Sequence, residues 1–416
     1  MKILFQIENF NIEDSTLFVK SRIEDINEKE SIQLYLGKVK FNNLKCENFI
    51  EQKSSFALIY TNNCNSVSFS YFVKIGHLAK HGHGGEISEE LITFSGEQVL
   101  IFPVETLTMN NKNNSIISNI KIFFQFKNYK HSILPLKYKK QDMLSIDFPK
   151  WINIYDIMKS SYTFGDFSIH KSIYNENILE IFCEKNFIKK EIDENVIDDL
   201  KRLHKYYCKL FNSNGMKLNV VLLNESVYDE KYVLGGCGVS SIAATFNYKN
   251  IRDWQLLAHR MFHSFMDFNL KSREVHIPPN LWLTEGLATY YEIIALNNLS
   301  NLRKKELNIN IENDFKKLFT RYLYIKLKNS NISSIIPMNE RNIKSHGNME
   351  FLHYTLAPLI VKLIESEYSK LNNNYIIKEI ILLNEKNKEL SMENIFYNIL
   401  KENLNEFASK YLFSNE

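Results

Sequence analysis

The stretch DWQLLAHRMFHSFMDF at residues 253–268 and the run PNLWLTEGLATYYE at 279–292 decide how this 416-residue chain is read. Trp254, Leu257, Ala258, Met261, Phe262 and Phe265 recur at helical spacing, so the first run is a helix with one apolar stripe. Asp253 is placed to cap its start. His259 and His263 stand four residues apart, which stacks their imidazoles on one side of the helix, a turn apart. A single helix offers two nitrogen ligands to one metal in this way. The spacing alone is weak, because paired histidines are more often plain surface or core residues. The second run adds Thr284, able to cap a new helix, and Glu285 in that helix's first turn. Two imidazoles and one carboxylate are a standard set for a catalytic zinc that keeps a fourth position open. Glu285 also reads as an acid favoured by the helix dipole, and the residues alone leave both readings open.

Together the two runs resemble the gluzincin zinc metallopeptidases, in particular their alanyl and glycyl aminopeptidase branches. The pattern of that group is HExxH, a short helical hairpin, then W-x-x-EG-x-A-x-Y-x-E. LWLTEGLATYYE (281–292) follows the second part closely, while HRMFH (259–263) departs from the first. The resemblance covers most of the chain, including a closing NLNEFASKYL helix (403–412). It implies His259, His263 and Glu285 as ligands to one zinc ion. It implies Glu292, two turns past Glu285, as an outer carboxylate that orients a ligand histidine; a solvated helix acid is the plain alternative. It further implies an extended peptide or protein as substrate or ligand. In this group a tyrosine from a Y-x-K-G-A-like stretch stabilises the tetrahedral oxyanion. HYTLAPLIVKLIE (353–365) takes that place here and makes Tyr354 the candidate, with Leu356 and Ala357 replacing the Lys and Gly. A buried structural tyrosine is the competing reading.

Three departures from the family pattern matter. Arg260 stands where the group has the glutamate that takes a proton from zinc-bound water, and a guanidinium cannot accept a proton at any working pH. The stretch LGGCGVSSIAATF (234–246) occupies the place of a strand whose glutamate holds the substrate's free amine; Gly235, Gly236 and Gly238 leave a backbone edge for an extended peptide, but the acid is missing. The gap between His263 and Glu285 is slightly longer than in the alanyl branch, as a loop insertion explains. Arg260 lies within about 60° of His263 around the helix. Pointing inward, its charge weakens metal binding at a cost of about 4 kcal/mol per unit charge at ~4 Å, or pairs with Glu285 and closes the site. Pointing outward, it leaves zinc binding intact. The function read here is a metallopeptidase-like protein that binds zinc and a peptide, with hydrolysis impaired or altered. The alternative is an inactive pseudo-peptidase that binds or scaffolds peptides.

Working outward, residues 1–150 alternate with period two, as in Ile32, Leu34, Leu36 and in Val67, Phe69, Tyr71, Val73, with Asn-, Gly- and Ser-rich turns between. This is the signature of an antiparallel sandwich or barrel-like sheet, and an N-terminal antiparallel β-sandwich domain is expected. Pro135 and Pro149 bracket a linker, and the resemblance implies that residues 165–416 form a thermolysin-like catalytic domain. There, strands in ILEIFCEKN (178–186) and KLNVVLLNE (217–225) give way to a helical bundle ending in MENIFYNILKENLNEFASKYLF (392–413), so the fold class is α+β.

An apolar content of 44% supports real cores and excludes global disorder. A net charge of +3 without a basic stripe gives no sign of a nucleic-acid partner. No window reaches the ~18 uninterrupted apolar residues of a membrane span, and the first residues read as a strand, not a signal peptide. Five scattered cysteines never fall in CxxC spacing and read as reduced core thiols of a cytoplasmic protein. His77, His81 and His83 in GHLAKHGHGGE (76–86) read as an exposed loop or, less simply, as a second metal site. Cys237 has no histidine near it in sequence to make it a nucleophile.

Overall fold

The computed structural model describes residues 1–386 except 27–28, 38, 49, 54, 77–83, 108–118, 127–128, 137–138, 141–142, 149–151, 153, 185–193, 225–235, 239, 271–279, 330–339, 341 and 373–374. Its contacts divide into two compact units that interleave in sequence. One holds Met1–Lys171, Leu179–Ile192 and Lys217–Asn247; the other holds Ser172–Ile178, Asp193–Met216 and Tyr248–Glu416.

The first unit opens with β1 (Lys2–Asn11), β2 (Thr16–Glu24), β3 (Ser31–Tyr35), β4 (Phe41–Cys46), β5 (Ile50–Gln52), β6 (Phe56–Tyr60), β7 (Ser66–Lys74), β8 (Glu86–Ile87) and β9 (Leu91–Ser95). It continues with β10 (Phe102–Pro103), β11 (Asn119–Gln125), β12 (His131–Ile133), β13 (Lys139–Lys140), β14 (Leu144–Phe148) and β15 (Ser161–Gly165). The short helices α1 (Gly96–Val99), α2 (Val104–Leu107) and α3 (Ile154–Lys159) lie between strands. A seven-stranded sheet runs β13-β14-β11-β1-β2-β7-β4, and two four-stranded sheets run β10-β3-β6-β5 and β12-β15-β9-β8. The pairings follow the antiparallel expectation except between β1 and β11, which are parallel with Ile3 opposite Ile120 and Phe5 opposite Ile122. Period-two alternation explains the core. Ile3, Phe5, Ile7, Leu17, Val19, Tyr71 and Val73 all turn inward and are fully buried, each contributing about 1.5–3 kcal/mol of hydrophobic stabilisation.

A fourth sheet runs β16 (Phe167–Tyr174), β17 (Asn177–Glu184), β18 (Lys217–Leu223) and β19 (Ser241–Thr245), with β18 and β19 parallel. Unbroken burial of β18 after Lys217 and of all β19 fits strands covered on both faces.

The second unit is helical: α4 (Glu194–Phe211), α5 (Ile251–Leu270), α6 (Leu281–Ala295), α7 (Asn301–Glu306), α8 (Ile311–Lys328), α9 (His346–Phe351), α10 (Ala357–Asn372) and α11 (Ile376–Lys386). One π-helical turn, Leu352–Leu356, joins α9 to α10. Aromatic packing fixes α4 on α5, with Phe211 5.2 Å from Phe262 and Tyr207 5.8 Å from Phe265, and α5 on α6, with Phe262 stacked 5.5 Å from Tyr291.

Three readings are corrected. The cap of α5 is Asn250, whose Oδ1 accepts from Arg252 N at 3.0 Å and whose Nδ2 reaches Asp253 Oδ1 at 3.1 Å; Asp253 lies inside the first turn. α6 begins at Leu281, so Thr284 is a buried interior residue and Glu285 sits beyond the first turn. Of the five cysteines, none is in a disulfide, but Cys64 is exposed and Cys46 half-buried, so only three are core thiols. The closing helices after Lys386 and the loop of His77, His81 and His83 lie outside the described residues.

Candidate metal centre

His259 and His263 both project from α5 toward α6, as their four-residue spacing requires. Their Nε2 atoms are 3.0 Å apart. Glu285 Oε2 on α6 lies 3.3 Å from His259 Nε2 and 3.5 Å from His263 Nε2. A point about 2 Å from all three atoms lies close to their plane, matching the ~2.0–2.2 Å reach of zinc to imidazole nitrogen and carboxylate oxygen. These three residues form a group able to hold a metal ion. The donor set passes a second test. Glu285 Oε2 is buried and makes no well-aligned hydrogen bond among the described residues; its neighbours are the two imidazole nitrogens, which share with it the place a cation would take.

Glu292, two turns along α6, places Oε2 2.8 Å from His259 Nδ1. Nδ1 is thereby committed to Glu292, and Nε2 is the ring nitrogen that faces Glu285 and His263. Burial alone would lower the His259 pKa, but the carboxylates of Glu285 and Glu292 outweigh it and raise it to about 9. Burial likewise pushes the Glu285 carboxyl up, and the two imidazoles beside it more than reverse that, holding it well below the usual carboxylate range. The pocket therefore retains positive charge, as protons or as a metal cation.

Tyr354 sits in the π-helical turn, its ring centroid 6.1 Å from that of His259. The residue is 39% exposed, and its hydroxyl lies near enough to Glu285 to feel that carboxylate. The Glu285 charge first, then burial, keep the phenol protonated.

Arg260 is 3% exposed and so lies within the fold, whichever side of the helix its guanidinium takes. Glu285 forms ion pairs with His259 and His263.

Gly236 and Gly238 belong to the first unit and have a local reason to be glycine. A Cβ on Gly236 would lie 2.3 Å from Lys159 O, and one on Gly238 would lie 2.0 Å from Ser160 Oγ. Gly236 O accepts from Ala243 N at 3.0 Å, so part of this backbone is already paired. Gly235 lies outside the described residues. A separate groove of about 550 Å³ crosses the seven-stranded sheet beside Lys20, Arg22 and Lys45, and none of the metal-site residues lines it.

Two features of the centre carry no signal in the sequence. His353 pairs with Glu340, and Gly286 packs on Ala357 where a Cβ would meet Ala357 Cβ at 2.7 Å. Both are contacts between elements with no characteristic local spacing.

No protein-family model and no curated protein sequence matches the chain. Solved structures do. An aminopeptidase N family protein from Idiomarina loihiensis superposes on 100% of this chain and 76% of its own length, with TM-score 0.68 and 12% identity. An M1 zinc metallopeptidase from Deinococcus radiodurans covers 99% of this chain and 92% of its own, with TM-score 0.58 and 10% identity. A variant of that enzyme bound to a Tyr-Ser-Ala substrate matches equally well. The fold is that of the M1 zinc aminopeptidases. At such low identity the likeness fixes the architecture, α+β with sheets first and helices after, and leaves the chemistry to the site. No helix among the described residues of this chain is long and apolar enough to cross a membrane.

Proposed function

We propose that this chain is a metallopeptidase-like protein of the gluzincin aminopeptidase group that binds one zinc ion and an extended peptide, with hydrolysis impaired or altered by Arg260. The observation that carries the reading is the closure of His259 Nε2, His263 Nε2 and Glu285 Oε2 within 3.0–3.5 Å of one another around a buried carboxylate oxygen. His259, His263 and Glu285 would hold the zinc, and Glu292 fixes the tautomer of His259. When bound, zinc supplies a Lewis acid for a peptide carbonyl. The protonated Tyr354 hydroxyl is a donor for the oxyanion that develops on that carbonyl. Arg260 cannot take the proton that a glutamate takes in the group's pattern, a loss on the order of 10²–10⁴ in rate. In this reading residues 1–150 are the sandwich domain and 165–416 the thermolysin-like catalytic domain. The backbone around Gly235, Gly236 and Gly238 pairs with the peptide. Five cysteines outside any disulfide support a cytoplasmic location.

A second reading, peptide binding or scaffolding without turnover, is favoured by the stretch 234–246, which contains no acid to anchor a free amine. Zinc content of the purified protein beside His259→Ala tests the first reading. One zinc per chain, absent from the variant, is expected; wild-type protein free of zinc after supplementation removes that reading. Screening the zinc-loaded protein for slow peptide turnover then separates altered hydrolysis from binding alone.

A further inference from the structure

Glu340 is a buried carboxylate, 1% exposed, held at the edge of the metal centre and outside every role given so far. Its Oε2 accepts from Leu281 N at 3.1 Å, and its Oε1 lies 2.5 Å from His353 Nε2. Leu281 opens α6, so its N–H is one of the donors that a helix start leaves open, and Glu340 satisfies it. Glu285 follows Leu281 by four residues, one turn along the same helix. On the other side His353 is the immediate neighbour of Tyr354 within the π-helical turn Leu352–Leu356, a geometry that recurs at functional sites. One carboxylate thus grips the helix that carries Glu285 and the turn that carries Tyr354. Across this grip the Tyr354 ring lies 6.1 Å from that of His259, on the site side of the turn.

We propose that Glu340, acting through His353, is the positioning residue that sets the Tyr354 hydroxyl over the metal site. The inference rests on the proposed reading of Tyr354 as an oxyanion donor. A buried charge-assisted pair is rigid, whereas Tyr354 itself is 39% exposed, its ring beside those of His259 and His353. Among the described residues Glu340 bonds Leu281 N and His353; it acts by fixing where the hydroxyl stands, to the fraction of an ångström that such stabilisation demands.

The test uses the zinc-loaded full chain and a phosphinic dipeptide, whose tetrahedral anion mimics the hydrated peptide bond. Affinity and zinc stoichiometry are measured for wild type, Tyr354→Phe, Glu340→Gln and the double variant. Tyr354→Phe is expected to weaken the phosphinate about ten- to a hundredfold. Glu340→Gln is expected to lose most of that factor with zinc retained, and the double variant to be no weaker than Tyr354→Phe alone. If Glu340→Gln binds the phosphinate at full strength, or if the two losses multiply, the inference is overturned while the reading of Tyr354 stands. If Tyr354→Phe binds as wild type does, the reading of the site falls, and this inference with it. Should Glu340→Gln not fold, His353→Asn, which leaves the Leu281 bond in place, takes its position in the same cycle.

Discussion

His259 Nδ1 and Glu292 Oε2 stand 2.8 Å apart, so the ring nitrogen not facing the metal centre is already committed. In the proposed zinc reading, this contact is what would separate a prepared metal site from two histidines that happen to share a helix face. Outer carboxylates of this kind set ligand tautomer and basicity. Glu292→Gln is expected to weaken zinc binding on the order of ten- to a hundredfold without abolishing it. Competition with a chromophoric chelator reads the change; an unaltered zinc affinity would show that the contact orients nothing.

Arg260 is buried in helix α5 one residue after His259, which makes its replacement informative. Arg260→Glu restores a proton acceptor at the position the group's pattern uses, and peptide hydrolysis is expected to rise by about 10²–10⁴. Arg260→Gln removes the charge without adding a base and isolates electrostatic relief of the metal. Rates for both variants at equal zinc occupancy decide the matter. A Glu variant no faster than the Gln variant would mean that the missing base is not what limits turnover.

Much of the centre is legible in the sequence because it lies in two helices. Four-residue spacing places His259 with His263, and seven-residue spacing places Glu285 with Glu292, from helix geometry alone. Helix starts were less legible. Asp253 and Thr284 both look like caps, yet Asn250 and Asn280 precede the observed starts, since several polar residues in a row compete for one cap position. Period-two alternation gives the sheet domain but not the parallel pairing of β1 with β11, because alternation fixes which face a residue takes and not which strand lies beside it. Glu340 and His353 could not be found, because their pairing is tertiary. The burial of Arg260 likewise depends on what packs over its side of the helix.

Gly286 follows Glu285 and packs against the start of α10. A Cβ there would lie 2.7 Å from Ala357 Cβ and 3.0 Å from the Ala357 backbone carbon. Backbone cannot yield as a flexible side chain does, so α6 and α10 must separate. Gly286→Ala is expected to destabilise the protein by about 1–3 kcal/mol. Because Ala357 directly follows the turn of Tyr354, the variant should also lose phosphinate affinity. Urea unfolding gives the first quantity; stability equal to wild type would mean that the helices part at no cost.

His204 supplies a prediction for acid. It is 1% exposed on α4, with its ring 5.6 Å from Phe265 and its Nε2 3.6 Å from Cys208 Sγ. Burial lowers its pKa from 6.5 to about 4, and burial raises the Cys208 thiol to about 12, so this pair stays neutral and is no thiolate–imidazolium dyad. Between those two histidine values the unfolded chain binds a proton that the folded chain refuses. Stability linked to His204 is therefore complete above pH 6.5 and is lost as pH falls toward about 4, by roughly 3 kcal/mol in all. His204→Leu, which keeps the site apolar, should remove that part of the acid sensitivity and leave the rest. Denaturant midpoints for both proteins at pH 7.5 and pH 4.5 measure it. Parallel losses in wild type and variant would show that His204 is hydrated or already protonated in the folded protein.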